Sequence, residues 1–290
     1  MSTKKYYTAT CTIIKDEQQY LDEWIRHNLD LGFDEIWLYE DYGSISHKEI
    51  TDKYPQVVLQ SISEIEDVIG SFKAWQKQLQ TWKYFTSNDE LRSKFDYVAF
   101  IDIDEFIMFD EGYDLQTLLN EYNEHPAILL YWKYYGANGN VMNPKTDVVT
   151  TYTKQSHYLR AEFRYELKSL VNMKYDGDIE WLTNHEVKDG VCTNDKIGHL
   201  TPSYEKAWIN HYYTRSWEEW CDRFIKRGDI NPGCRKFNEF FRFNKDMIKD
   251  SGKLMQLRDQ FFKNFQAKKN AEEAAVEQGT NDENQTSEQQ

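Results

Sequence analysis

The sequence has no excess of basic residues: 35 Lys and Arg stand against 49 Asp and Glu over 290 residues, a formal charge of −14. Binding a phosphate backbone needs a clustered basic face, so the charge argues against nucleic acid as a partner. The sequence also lacks any apolar run near the ~20 residues that span a bilayer, and its opening MSTKKYYTAT has no apolar stretch of the signal-peptide kind. A cytoplasmic protein without a transmembrane segment is expected, which leaves room for peripheral membrane contact. The four cysteines, Cys11, Cys192, Cys221 and Cys234, form no CxxC pair and no zinc spacing, so reduced thiols and a fold without disulfides are expected. No internal repeat is present.

What the chain does have is aromatic bulk: 9 Trp, 20 Tyr and 16 Phe. These rings enlarge a core and also supply a cleft, where rings beside polar groups suit sugars. Near-alternation over residues 7–14 fits a strand, and Asp16 with Gln19 three residues on reads as a capping-box helix start. Tyr20, Leu21, Trp24, Ile25 and Leu29 then form one stripe that stops at Gly32. Further strands are expected at 35–39, about 57–59 and 97–101, with a helix between the last two carrying Trp75, Leu79, Trp82 and Phe85 on one face. The run at 97–101 is apolar throughout, as in a central strand buried on both faces. Strands alternating with helices predict an α/β fold whose sheet is largely parallel, Rossmann-like over the first 110 residues.

Asp114 reads as the cap of another helix, and strands are expected at 127–132 and 166–173 around a Gly and Asn loop at 136–140. Ser216 with Glu219 forms a second capping box, before a helix closed by Gly228. C-terminal helices are expected from about 235 to about 265. Residues 267–290 hold six acids, two lysines and no aromatic residue, so a disordered acidic tail is expected after a single domain at 1–266.

The most informative stretch is FIDIDEFI at 100–107, three carboxylates in four residues bracketed by apolar side chains. If it is extended, Asp102 and Asp104 point the same way and repel, a conflict that a divalent cation removes. Ligands of parallel sheets bind outside the carboxyl ends of the strands, where this DxD pair falls. The alternative is an amphipathic strand whose acids face water. Oxygen donors with few imidazoles favour Mn²⁺, Mg²⁺ or Ca²⁺ over zinc.

The motifs as a set resemble glycosyltransferases of the GT-A fold, the family 92 type and its bacterial relatives, grouped with glycosyltransferase family 2. The stretches at 13–17, 20–24 and 32–34 look like the family's first βα unit, and 39–44 like its acidic turn. FIDIDEF, Trp132 with the loop at 135–139, Lys168-Ser169, His185-Glu186 and the run at 210–219 follow in the family's order. Asn140 stands where histidine is expected and Arg215 where lysine is commoner.

The resemblance implies a metal-dependent hexosyltransferase with a GT-A nucleotide-sugar-binding sheet and C-terminal helices. It would move a hexose such as galactose from a UDP-sugar donor to a glycan acceptor, with inversion, using Mn²⁺ or Mg²⁺. Asp102, Asp104 and His211 would hold the metal. Glu17 and Asp41 would meet the nucleoside, Lys168 and Arg215 the phosphates, and Trp132 would stack on a sugar. Glu186, in the irregular region where acceptors bind, is the expected base. Other readings of the same acid pair are a noncatalytic carbohydrate- or metal-binding module and a metal-dependent nucleotidyl or phosphoryl transferase.

Overall fold

The computed structural model describes residues 5–70, 74–156, 166–197, 203–226 and 238–244, with 256, 259 and 263. The expected acidic tail at 267–290, the Gly228 helix stop and Cys234 lie outside the described residues. The chain divides into two compact units, residues 1–135 with 145–213, and residues 136–144 with 214–290.

The first unit runs β1 (Thr8–Ile14), α1 (Leu21–Asp30), β2 (Glu35–Glu40), α2 (Lys48–Thr51), β3 (Val57–Ser61), a 3-10 turn at Ile62–Ile65, α3 (Glu66–Ile69), α4 (Ala74–Ser87), α5 (Asp89–Lys94) and β4 (Tyr97–Phe100). It continues with β5 (Glu105–Phe109), α6 (Leu115–Glu121), β6 (Ala127–Tyr134), α7 (Val148–Thr151), β7 (Leu167–Asn172), β8 (Val191–Cys192) and β9 (Ala207–His211). The strands form one sheet in the order β3-β2-β1-β4-β7-β6-β9-β5, with β8 also on β6.

Its first four strands are all parallel, β2 to β3, β1 to β2 and β1 to β4. Such a half-sheet must be covered on both faces. On one face Trp24 and Ile25 of α1 and Leu115 and Leu118 of α6 pack with Ile36, Leu38 and Ala99. On the other, Trp82 and Phe85 of α4 and Leu91 of α5 pack with Cys11, Val98 and Phe100. Successive residues of β4 thus enter opposite cores, which is why its sequence is apolar without alternation.

Beyond β4 the largely parallel expectation fails. β7 is antiparallel to β4 and to β6, and β5 is antiparallel to β9, while β6 runs parallel to β8 and β9. A parallel neighbour needs a crossover, usually a helix. The described chain from β6 to β7 offers only the four-residue α7, and an antiparallel return needs no more. The domain is therefore mixed α/β.

Two local expectations also change. Asp16 does not cap α1: it adopts φ 55°, and its Oδ1 accepts the Ile45 N–H, so the helix starts five residues later at Leu21 without a side-chain cap. The acid motif is not extended either. β4 stops at Phe100, and Glu105 N–H donates back to the Asp102 carbonyl at 3.0 Å, closing a turn. Gly32 ends α1 in the left-handed region, φ 96°, where glycine has no steric cost.

In the second unit the capping box forms as expected. Glu219 N–H donates to Ser216 Oγ, and Ser216 N–H to Glu219 Oε2, opening α8 (Trp217–Lys226). Trp217 packs on Phe240 and Phe241 of α9 (Asn238–Phe243), with ring centroids 5.0 and 5.3 Å apart. The 136–140 loop turns through Asn138 and Gly139, both at positive φ, and Asn140 accepts from Trp217 N–H.

The Asp114 cap yields a test. Its Oδ1 accepts the Thr117 N–H at 2.7 Å, and that bond holds the carboxyl below its usual pKa. Asp114→Ala should cost about 1 kcal/mol, or about 2 °C in melting temperature. A depressed folded pKa means stability present above the unfolded value of about 3.9 and lost as pH falls through the folded one, so the gap to wild type should close below about pH 4. Thermal melts at pH 7 and in stepped acid check both.

Candidate active site

The site is built by the turn that leaves β4. Glu105 closes it twice: its N–H donates to the Asp102 carbonyl, and its Oε2 accepts the Asp102 N–H at 3.0 Å. The chain then enters β5, where Glu105 pairs with His211 of β9 in antiparallel register. Tyr212 N–H donates to the Asp104 carbonyl at 2.8 Å and pins the corner of the turn to the end of β9. Side-chain ligand atoms of Asp104, Glu105 and His211 thereby come within 4.8 Å of one another, with His211 Nε2 3.6 Å from Asp104 Oδ1.

Asp102 turns to a different partner. Lys168 of β7, 1% exposed, places its ammonium 2.8 Å from Asp102 Oδ2 and 3.6 Å from Glu105 Oε1. Burial works to raise the Asp102 carboxyl, but the Lys168 charge outweighs it and holds it below the usual range. Burial pushes Glu105 well above that range despite the same lysine. For Lys168 itself burial favours the neutral form, and the two acids more than offset this, keeping the ammonium charged. Gln78 of α4 donates to Asp102 Oδ1 and accepts from Asn184.

Three carboxyl groups and one ammonium share the site. Glu105 Oε1 and His211 Nδ1 are buried with no hydrogen-bond partner. Two carboxyl groups and one imidazole at this spacing could coordinate a divalent cation. The sequence marks Glu105 as part of the acid cluster, and its pairing with His211 across two strands puts it in the ligand group.

An aromatic group walls the site. The Trp132 ring lies 4.3 Å from His211 and 5.1 Å from His185, centroid to centroid, and Lys168 Nζ approaches it to 5.9 Å. At 7% exposure Trp132 is packed among these groups rather than open as a platform. Tyr134 and Tyr213 add rings 5.3 and 5.4 Å from His211. His185 faces this group, and burial followed by the Lys168 charge lowers its pKa to about 3, so the imidazole is neutral. The Glu186 charge adds to burial in raising the Tyr131 phenol and the Cys192 thiol. Tyr131 packs in a separate cluster from Trp132, on the other face of β6.

The remaining expected residues lie at the carboxyl ends of β1 and β2 or in the second unit. The Glu17 N–H donates to His47 Nε2 at 2.9 Å. That nitrogen must accept, so the proton sits on Nδ1, which donates to Glu40 Oε1 at 2.7 Å. Asp41 ion-pairs with Lys77, which is adjacent in α4 to the Gln78 that holds Asp102. Arg215, at φ 51° and 4% exposed, precedes α8 in the second unit. Among the described residues no helix is long and apolar enough to cross a membrane.

The buried lysine gives the second test. Lys168→Met removes the counter-charge of Asp102 and Glu105, and breaking a buried pair from one side costs several kcal/mol. Because Asp102 is one-third exposed, about 3 kcal/mol is expected, at the low end of that range. Urea unfolding at pH 7 measures it.

The model of glycosyltransferase family 92 matches residues 4–272. A glycosyltransferase family 92 protein of Oryza sativa subsp. japonica is 24% identical over 227 residues, covering 77% of this chain and 36% of the relative. One of Ricinus communis is 24% identical over 236 residues, covering 77% and 38%. The chain thus spans little more than a third of the length of these curated relatives. Among solved structures, 4-diphosphocytidyl-2C-methyl-D-erythritolsynthase from Anaerococcus prevotii DSM 20548 aligns with a TM-score of 0.30 at 14% identity, over 59% of this chain and 72% of that one. UDP-glucose pyrophosphorylase complexed with UDP-glucose gives 0.25 at 11%, over 72% and 90%. TM-scores this low establish no shared fold. The family match, by contrast, runs over nearly the whole sequence: the chain belongs to glycosyltransferase family 92.

Proposed function

We propose that this chain is a metal-dependent hexosyltransferase of GT-A type, acting in the cytoplasm on a UDP-sugar donor and a glycan acceptor. The observation that carries the reading is the Asp104, Glu105 and His211 group at the carboxyl end of the parallel strands, backed by the buried Lys168. Those ends are where α/β sheets bind nucleotides. A divalent cation held by the three residues supplies Lewis-acid neutralisation of a diphosphate leaving group.

The chain's own residues do the rest. Lys168 holds Asp102 and Glu105, fixing the turn that presents Asp104. Glu17 and Asp41, at the ends of β1 and β2, are placed for the nucleoside, the first set by His47 and the second by Lys77. Trp132, His185, Tyr134 and Tyr213 exclude water around His211 and offer ring edges to a hexose.

The test is UDP release from a panel of UDP-hexoses with Mn²⁺ present. Asp104→Asn and His211→Ala should each lower turnover by about 100-fold or more, the scale on which metal sites respond to altered ligands and their supports. Both should also lose the rise in melting temperature that Mn²⁺ confers on wild type by binding the folded state. A wild-type chain that binds Mn²⁺ and UDP without releasing UDP from any donor would be a binding module instead. Full turnover in excess chelator would remove the metal from the mechanism.

A further inference from the structure

We infer that Glu166 is the catalytic base, oriented by Tyr134; the inference rests on the transferase reading above. Glu166 directly precedes β7. Its carbonyl accepts the Trp132 N–H at 3.1 Å, extending the β6–β7 ladder by one pair beyond Tyr131 and Leu167. Two residues before Lys168 along an extended segment, its side chain lies on the Lys168 face of the sheet, which is also the face of Trp132 and Tyr134. The Tyr134 hydroxyl donates to Glu166 Oε2. Tyr134 is itself paired with His211 in the β6–β9 register, with ring centroids 5.3 Å apart.

A carboxylate is thus set one tyrosine away from the metal group and is not part of it. It is half-buried rather than closed off, and the Tyr134 ring that holds it packs against the rings of Trp132 and Tyr213. A base needs a carboxylate oxygen within hydrogen-bond reach of the attacking hydroxyl and separate from the groups that hold the leaving diphosphate. Glu166 is separate from the Asp104, Glu105 and His211 group, and its second carboxylate oxygen is the one offered to an acceptor hydroxyl.

In the step, the acceptor hydroxyl oxygen bonds to the anomeric carbon of the donor. The bond from that carbon to the diphosphate oxygen breaks, and its electron pair departs with UDP. The hydroxyl proton passes to Glu166 Oε1 while Tyr134 holds Oε2. Tyr134 is a positioning residue: it touches the base and not the reacting atoms.

The experiment measures UDP release from UDP-galactose and UDP-glucose with Mn²⁺, with and without p-nitrophenyl hexosides as acceptors, beside calorimetric binding of UDP. Glu166→Gln keeps an oxygen that accepts from Tyr134, so the fold and UDP affinity should be unchanged while kcat falls by about 10²–10⁴-fold. Tyr134→Phe keeps the ring against His211 and should lose about tenfold in kcat at unchanged UDP affinity. In Glu166→Ala, azide should restore UDP release, because an anionic nucleophile attacks without giving up a proton. Wild-type turnover in Glu166→Gln overturns the assignment and leaves the transferase reading intact. Loss of activity that azide does not restore, or that comes with lost UDP binding, overturns it as well and makes Glu166 structural. A wild-type chain that releases UDP from neither donor overturns the transferase reading and this assignment together.

Discussion

One buried ammonium organises the functional end of the first unit. Lys168 reaches from β7 to the turn after β4 and sits, itself fully buried, against Asp102 and the buried Glu105. Without that charge the turn would bring three acids together at high electrostatic cost, and a tight return from β4 into β5 would not hold. With it, Asp102 becomes a structural counter-ion and Asp104 is left at the corner. The lysine therefore decides which carboxylate of the DxD pair faces Lys168 and which faces His211.

The two halves of the sheet divide the labour. The parallel half, sandwiched by α1 and α6 on one face and α4 and α5 on the other, presents the carboxyl ends of β1, β2 and β4 along one edge. The mixed half brings in residues from distant sequence: Lys168 from β7, Trp132 and Tyr134 from β6, and His211 from β9. Antiparallel pairing sets Glu105 opposite His211, and this register, not sequence proximity, creates the group of three ligands. Polar side chains of α4 hold the acids at the ends of the parallel strands, Lys77 on Asp41 and Gln78 on Asp102, and Gln78 also accepts from Asn184, which follows β7.

Aromatic residues serve both core and site. Against the parallel strands Phe100 meets Trp82 tilted and Phe85 edge to face, while Phe95 stacks on Phe85 and meets Trp37 edge to face. Around His211 the same chemistry forms a wall that lowers the local dielectric and strengthens each charge interaction in the acid group. The neutral state of His185 follows from that environment together with the neighbouring ammonium.

Much of this was determined by sequence alone. Apolar periodicity located α1, α4, α6 and α8, the unbroken run at 97–101 located the central strand, and the spaced family motifs pointed to the acid turn and His211 long before any contact was known. The Asp114 and Ser216 caps were legible because they are local: donor and acceptor lie three residues apart. Tertiary structure decided everything that depends on a partner far along the chain. Asp16 has a helix-capping sequence but is drawn away by Ile45 N–H, and Asp102 has a ligand's sequence but is claimed by Lys168. Glu105 is marked only as one acid of a cluster and Glu166 carries no local signal; strand register sets the first against His211, and the Tyr134 hydroxyl holds the second. The sequence names His185-Glu186 as a pair, but only the fold sets the His185 ring 5.1 Å from Trp132 in the wall around the acids, because that contact joins an irregular segment to a strand more than fifty residues away.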